Sequence, residues 1–138
     1  MVIRPSRKAD TRSMAQVYVQ TWHDTYTGLV PFGYLLAMST RQIQQGFINE
    51  IQSKRAFSYV AEDSGRVIGF VSGGFARQTD DIYDGEIYAL YVLKDYQRRG
   101  VGIQLVSGLT GGFSRCGVYS MLVWVLEHNP YRRFYEKI

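Results

Sequence analysis

The chain has 138 residues, 46% of them hydrophobic and 20% charged, enough apolar material to bury a core and about the size of one domain. Sixteen Lys and Arg against twelve Asp and Glu leave a net charge of +4 and a pI near 9.3. That surplus favours an anionic ligand without deciding among nucleic acid, a membrane face and a phosphate-bearing cofactor. No apolar run approaches the ~18 residues of a membrane span. The opening Met1-Val2-Ile3-Arg4-Pro5 lacks the apolar stretch of a signal peptide. Cys116, alone, can form no internal disulfide, which fits a reducing, cytoplasmic compartment. A single domain over residues 1–138 is expected, with no membrane association.

In chain order, Val2 to Pro5 reads as a strand. A helix that Asp10 can cap follows, with Met14, Val17, Tyr18, Thr21 and Trp22 on one face. Phe32 to Met38 is helical, and Ser39 or Thr40 opens a further helix in which Ile43, Phe47 and Ile51 recur at helical spacing. Phe57 to Ala61 and Val67 to Val71 flank the turn-rich Asp63-Ser64-Gly65-Arg66, predicting a hairpin. Ile87 to Val92 is apolar on both faces, as a strand covered on both sides must be. After a loop from Lys94 to Gly102, a helix runs to about Cys116 and precedes the strand Ser120 to Leu126, making a βαβ unit. Gly108, Gly111 and Gly112 each cost that helix about 1 kcal/mol against alanine, so packing or a ligand must hold it. Asn129-Pro130 reads as an N-cap and first turn of a last helix through Phe134 and Tyr135.

Gln97-Arg98-Arg99-Gly100-Val101-Gly102 carries the functional signal. It lies between a buried strand and a helix, where backbone N–H groups lack partners and the helix dipole is positive. Glycines at 100 and 102 let a diphosphate approach the backbone, and Arg98 and Arg99 add charge at the rim. A plain strand-to-helix turn with exposed arginines has the same residues. The loop is neither a Walker loop nor a complete dinucleotide fingerprint. The two histidines, His23 and His128, have no metal-ligand spacing with Cys116, so no metal is expected. No Gly-x-Ser-x-Gly elbow supports acyl-serine chemistry. The tyrosines fall mostly in apolar patterns, which argues against stacking on nucleic acid.

This hexapeptide, preceded by the Ile87 to Val92 strand, resembles the pyrophosphate loop of the GNAT N-acetyltransferase superfamily. Trp124-Val125-Leu126-Glu127-His128-Asn129-Pro130-Tyr131-Arg132-Arg133-Phe134-Tyr135-Glu136 is similar to that family's later motif, and Trp22-His23-Asp24-Thr25-Tyr26 resembles the acceptor-side helices of its bacterial members. The resemblance implies an α/β (α+β) fold with a mixed, mostly antiparallel central sheet and flanking helices. It also implies two further strands after the last helix, which this sequence, ending at Ile138, does not carry. Whether the sequence is a fragment or naturally short, an open sheet edge would result, which a homodimer could cover.

The same resemblance implies acetyl-CoA as co-substrate, no metal, and a small-molecule or peptide amine as acceptor. Backbone at Leu90, Tyr91 and Val92 would align pantetheine; Gln97, Arg98, Arg99, Gly100, Val101, Gly102 and Ile103 would cradle the diphosphate; Asn129 would touch the pantetheine arm or serve only as a cap. Tyr135 would protonate the departing thiolate. An amine with a pKa of about 10.4 must give up a proton before attack, at a cost of about 4.6 kcal/mol near neutrality. Glu86 stands where the histone-modifying branch places its base; a solvated turn residue is the other reading, and Glu127, His128 and His23 are reserves. Trp22, His23, Asp24, Tyr26 and Tyr34 would border the acceptor. A non-catalytic CoA-binding regulatory or interaction module and a small nucleic-acid-binding protein are the rival functions.

Overall fold

The computed structural model describes residues 1–75 and 85–115, and the backbone of 121–123. Among them, five strands form one mixed sheet in the order β1-β2-β3-β4-β5. The strands are β1 (Val2–Pro5), β2 (Ala56–Asp63), β3 (Arg66–Phe75), β4 (Gly85–Val92) and β5 (Met121–Val123). The first four pair antiparallel, and β5 runs parallel to β4. Four helices accompany them: α1 (Thr11–Tyr26), α2 (Phe32–Leu36), α3 (Thr40–Ser53) and α4 (Val101–Arg115).

Local chemistry accounts for most of these elements. Ser64 and Gly65 both take positive φ, 52° and 80°, the left-handed pair that a two-residue hairpin turn needs to match strand twist. Ser39 caps α3 by accepting the Gln42 N–H. Met38 falls outside α2, which ends at Leu36, shorter than the apolar run predicts. Asp10 departs from expectation as well. Its carboxylate makes no cap bond to α1; it accepts both Arg4 guanidinium nitrogens at 2.8 and 2.9 Å and the Arg7 N–H at 2.7 Å. The charged donor on β1 outbids the helix end. That bond to Arg4 holds the Asp10 carboxyl below its ordinary pKa against the opposing effect of burial, and the two carboxylates, Asp10 and Glu62, raise Arg4.

Helices cover both sheet faces. Met14 and Val17 of α1 and Phe47 of α3 pack with Val60, Val67 and Phe70 on one face. Val101, Leu105, Leu109 and Phe113 of α4 pack with Ile68, Val71, Ile87 and Val92 on the other. Each such side chain contributes roughly 1.5–3 kcal/mol on burial. The glycines of α4 answer to packing. A Cβ at Gly108 would meet the Tyr59 ring at 3.4 Å, and one at Gly112 would meet the Tyr59 hydroxyl at 3.0 Å, whereas Gly111 faces open space. Gly108 and Gly112, one turn apart, thus let the helix lie close on β2.

Register breaks once within β4. Ser72 pairs with Ala89 and Gly73 with Ile87, so Tyr88 is the extra residue of a bulge. Gly73 is required there, since a Cβ would stand 2.6 Å from the Glu86 carbonyl oxygen. The parallel pairing of Gly85–Ile87 with Met121–Val123 completes the predicted βαβ unit as far as the described residues reach. The predicted strand's remaining residues, 120 and 124–126, and the predicted last helix lie outside them.

Candidate functional site

From Val92 the chain passes through a single helical turn at Lys94–Tyr96, doubles back through residues 97–100, and enters α4 at Val101. Arg98 and Gly100 take positive φ, 63° and 80°; the second is natural for glycine, the first costs arginine strain. The first bond of α4 runs from the Gln104 N–H to the Gly100 carbonyl at 3.1 Å. The N–H groups of residues 101–103 therefore have no acceptor inside the helix, at the positive end of a fifteen-residue dipole. No Cβ obstructs the approach at Gly100, where open space lies. Arg99 sits with its guanidinium 5.7 Å from the centre of the Tyr96 ring.

Gln97 plays a different part from the residues after it. Its side-chain Nε2 donates to the Val92 carbonyl at 2.8 Å, and its N–H to the Lys94 carbonyl at 3.2 Å. It ties the loop to the end of β4 just before α4 begins. Val101 is buried and Ile103 exposed.

Leu90, Tyr91 and Val92 form the last stretch of β4, paired with Val71, Phe70 and Gly69 of β3. On the other edge, the pairing with β5 ends at Ile87 among the described residues. The bulge at Tyr88 sets which way each side chain points. Val92 and Leu90 pack toward α4, and Tyr91 and Ala89 toward α1 and α3. Ile87 faces α4, so its neighbour Glu86 faces the opposite side. Glu86 is only 2% exposed, which removes the solvated-turn reading of that carboxylate.

The residues expected to border the acceptor divide. Trp22 donates its indole N–H to the Tyr91 hydroxyl at 2.9 Å. Its ring lies 4.2 Å from that of Tyr26 and 6.0 Å from that of Tyr34. Those four come together. Asp24 points away, on the exposed side of α1, where it accepts from Gln20. The carbonyl of His23 accepts the Thr27 hydroxyl, and no described contact joins its side chain to the ring cluster. Tyr18, one turn before Trp22, belongs to the cluster through Tyr91, with centroids 5.0 Å apart, and burial raises its pKa. Its spacing from Trp22 carried that signal. Tyr91 was expected to matter through its backbone alone; its side chain joins α1 to β4, which a single-strand pattern does not reveal.

Asn129, Tyr135, Glu127, His128 and Cys116 lie outside the described residues. Among the described residues no cluster of His, Cys, Asp and Glu could hold a metal, and no helix is long and apolar enough to cross a membrane.

An amide-lined turn between a bulged strand and a glycine-bearing helix suits an anionic, diphosphate-like group. The model of the acetyltransferase (GNAT) family matches residues 17–138. An uncharacterised N-acetyltransferase of Bacillus subtilis, YuaI, is 32% identical over 136 residues, spanning 99% of this chain and 78% of YuaI. MnaT of Escherichia coli, an L-amino acid N-acyltransferase, is 27% identical over 94% of this chain and 72% of its own. The fold matches that of the PaiA N-acetyltransferase from Thermoplasma acidophilum, solved in complex with coenzyme A, at a TM-score of 0.83 and 21% identity, covering 99% of this chain and 88% of that one. With its family model spanning most of its length and a relative of this similarity across nearly all of it, the chain belongs to the acetyltransferase (GNAT) family and is an acyltransferase.

Proposed function

We propose that residues 1–138 act as one catalytic domain, in the cytoplasm, that transfers the acetyl group of acetyl-CoA directly to an amine within a ternary complex. The observation that carries this reading is the run of N–H groups at residues 101–103 that have no acceptor inside the helix, preceded by left-handed Gly100 and by Gln97 braced on Val92. Donors so arranged hold a diphosphate without rearrangement, and Arg98 and Arg99 add charge at the mouth. The CoA complex of PaiA, similar in fold, supports the choice of cofactor.

With the diphosphate held there, the pantetheine arm runs along Leu90–Val92, past Ile87, where the pairing with β5 ends among the described residues, and Asn129 contacts it. The amine nitrogen attacks the thioester carbonyl carbon, a C–N bond forms and the C–S bond breaks. Glu86, or a water that it holds, takes the proton from nitrogen. Tyr135 gives its proton to the sulfur that leaves. No acyl-enzyme is needed. Burial of Glu86 suits a base, because a carboxylate kept from bulk water is a stronger proton acceptor.

Calorimetric titration with CoA, paired with an assay of amine-dependent thiol release from acetyl-CoA, tests the proposal. One-to-one binding and transfer to at least one amine are expected. Absence of CoA uptake by the intact protein refutes the cofactor reading; uptake without transfer to any amine refutes the catalytic one.

A further inference from the structure

The side of β4 away from α4 is walled with aromatic rings. Tyr18, Trp22 and Tyr26 recur one turn apart along α1 and so share a face. Tyr91 meets them from the sheet, its ring 5.0 Å from that of Tyr18, and Tyr34 meets them from α2, 6.0 Å from Trp22. Exposure rises across the wall: Tyr26 is 6% exposed, Trp22 half-buried, and Tyr34 55% exposed. A ring that open, next to a half-buried indole, is an unfinished stack.

Trp22 has a single polar atom, and it is already engaged by the Tyr91 hydroxyl at 2.9 Å. The indole therefore offers a guest its ring surface and no hydrogen-bond donor. Among the described acids, Asp10 and Glu62 are tied to Arg4, Asp24 bonds Gln20 on the exposed side of α1, Glu50, Asp63 and Asp95 lie on α3, at the end of β2 and in the turn after β4, and the buried Glu86 is already assigned to the reacting nitrogen. A polyamine or aminoglycoside brings several ammonium groups that need such partners on leaving water. Nor does the wall suit the reacting ammonium, which must lose its proton before attack; rings that favoured the cation would hold it in the unreactive form. What remains for the wall to hold is the carbon skeleton behind the nitrogen.

Resting on the acetyl transfer proposed above, we propose that the acceptor is a monoamine with a flat apolar body. That body packs on Trp22 and Tyr34 and directs its nitrogen along Tyr91 toward the thioester at the end of β4. Stacking of this kind prefers offset or tilted rings, the arrangement that Trp22 and Tyr34 already show at 54°.

The test compares phenethylamine, butylamine, spermidine and kanamycin as acceptors for the full chain with acetyl-CoA. The expected order places phenethylamine above each of the others by about tenfold in kcat/KM, the effect of burying one ring. Tyr34→Ala, at an exposed position where folding is not at stake, should cut the ratio of phenethylamine to butylamine by about fivefold through KM. Tyr34→Phe should restore it, and CoA affinity by calorimetry should hold in both. A binding arm needs no turnover: with CoA present, phenethylamine should quench tryptophan fluorescence at lower concentration than butylamine. Preference for spermidine or kanamycin overturns the inference, as does a ratio unmoved by Tyr34→Ala, or equal binding of the two monoamines where no amine reacts. In each of these cases CoA binding stands. If CoA itself does not bind, the cofactor reading fails and this inference with it.

Discussion

Gly100→Ala isolates the turn on which the cofactor proposal depends. Gly100 has φ +80°, and an added Cβ would meet nothing within 4 Å. Collision with neighbours therefore contributes nothing, and the cost is that of holding an L-residue in left-handed backbone, roughly 1–2 kcal/mol. The variant can take this in two ways. If the turn keeps its shape, the strain appears in folding, and the melting temperature falls by about 2–8 °C per kcal/mol, depending on domain size. If the turn relaxes, the Gly100 carbonyl that accepts the Gln104 N–H at 3.1 Å moves, the amides of 101–103 lose their common aim, and CoA affinity falls by roughly 5- to 30-fold. Thermal melts and CoA calorimetry on one sample partition the loss. Gly111→Ala, also open to space but inside α4, is the control and should gain up to about 1 kcal/mol. A Gly100→Ala protein with unchanged melting and unchanged CoA affinity refutes the argument that this turn is conformationally demanding and aimed at the cofactor.

Replacing Tyr135 with phenylalanine should lower kcat by about 10²–10⁴-fold while leaving CoA affinity intact, as steady-state kinetics beside calorimetry will show. Glu86→Gln should lower kcat within the same range of about 10²–10⁴-fold and flatten the acidic limb of the kcat–pH profile; a variant as active as the parent excludes Glu86 as base. Asp10→Asn should destabilise the fold by about 1.5–3 kcal/mol near neutrality, since it removes a carboxylate bonded to Arg4. The folded pKa of Asp10 lies below its ordinary value, so its contribution is complete above about pH 4 and is lost as pH falls through the folded value. Denaturant melts of parent and variant should accordingly converge in acid. Along α4, Gly112→Ala should gain less than Gly111→Ala or lose stability, because its Cβ arrives 3.0 Å from the Tyr59 hydroxyl.

Much of the architecture was legible because its causes are local. Ser64-Gly65 specifies a turn by its own backbone preference, and the apolar runs on either side specify the strands that it joins. The turn into α4 was legible for the same reason: glycine at position 100 advertises left-handed backbone. What escaped depended on partners distant in sequence. Asp10 looks like a cap until β1 brings Arg4 to it. Arg98 gives no hint of its positive φ, which the closure between Val92 and α4 imposes. The glycines of α4 look like weakness until Tyr59, on β2, is seen lying against Gly108 and Gly112.

The bulge at Tyr88 is the clearest of these non-local effects, and it decides which side chains of β4 meet which helices. Side chains alternate along a strand, so a stretch without interruption keeps one parity from end to end. With one residue added, Ile87, Leu90 and Val92 all turn to the α4 side, while Glu86, Ala89 and Tyr91 turn to the side of α1. Without the extra residue, a strand that kept Ile87 under α4 would send Tyr91 there as well and strip Trp22 of its hydrogen-bond partner. Gly73 permits the insertion, because only a residue without Cβ tolerates the Glu86 carbonyl at that distance. Gly73→Ala should therefore act at a distance. By forcing the bulge to shift, it should weaken the Trp22–Tyr91 bond and raise the KM for the amine more than that for acetyl-CoA. Equal effects on the two substrates would mean that the bulge does not divide the strand between them.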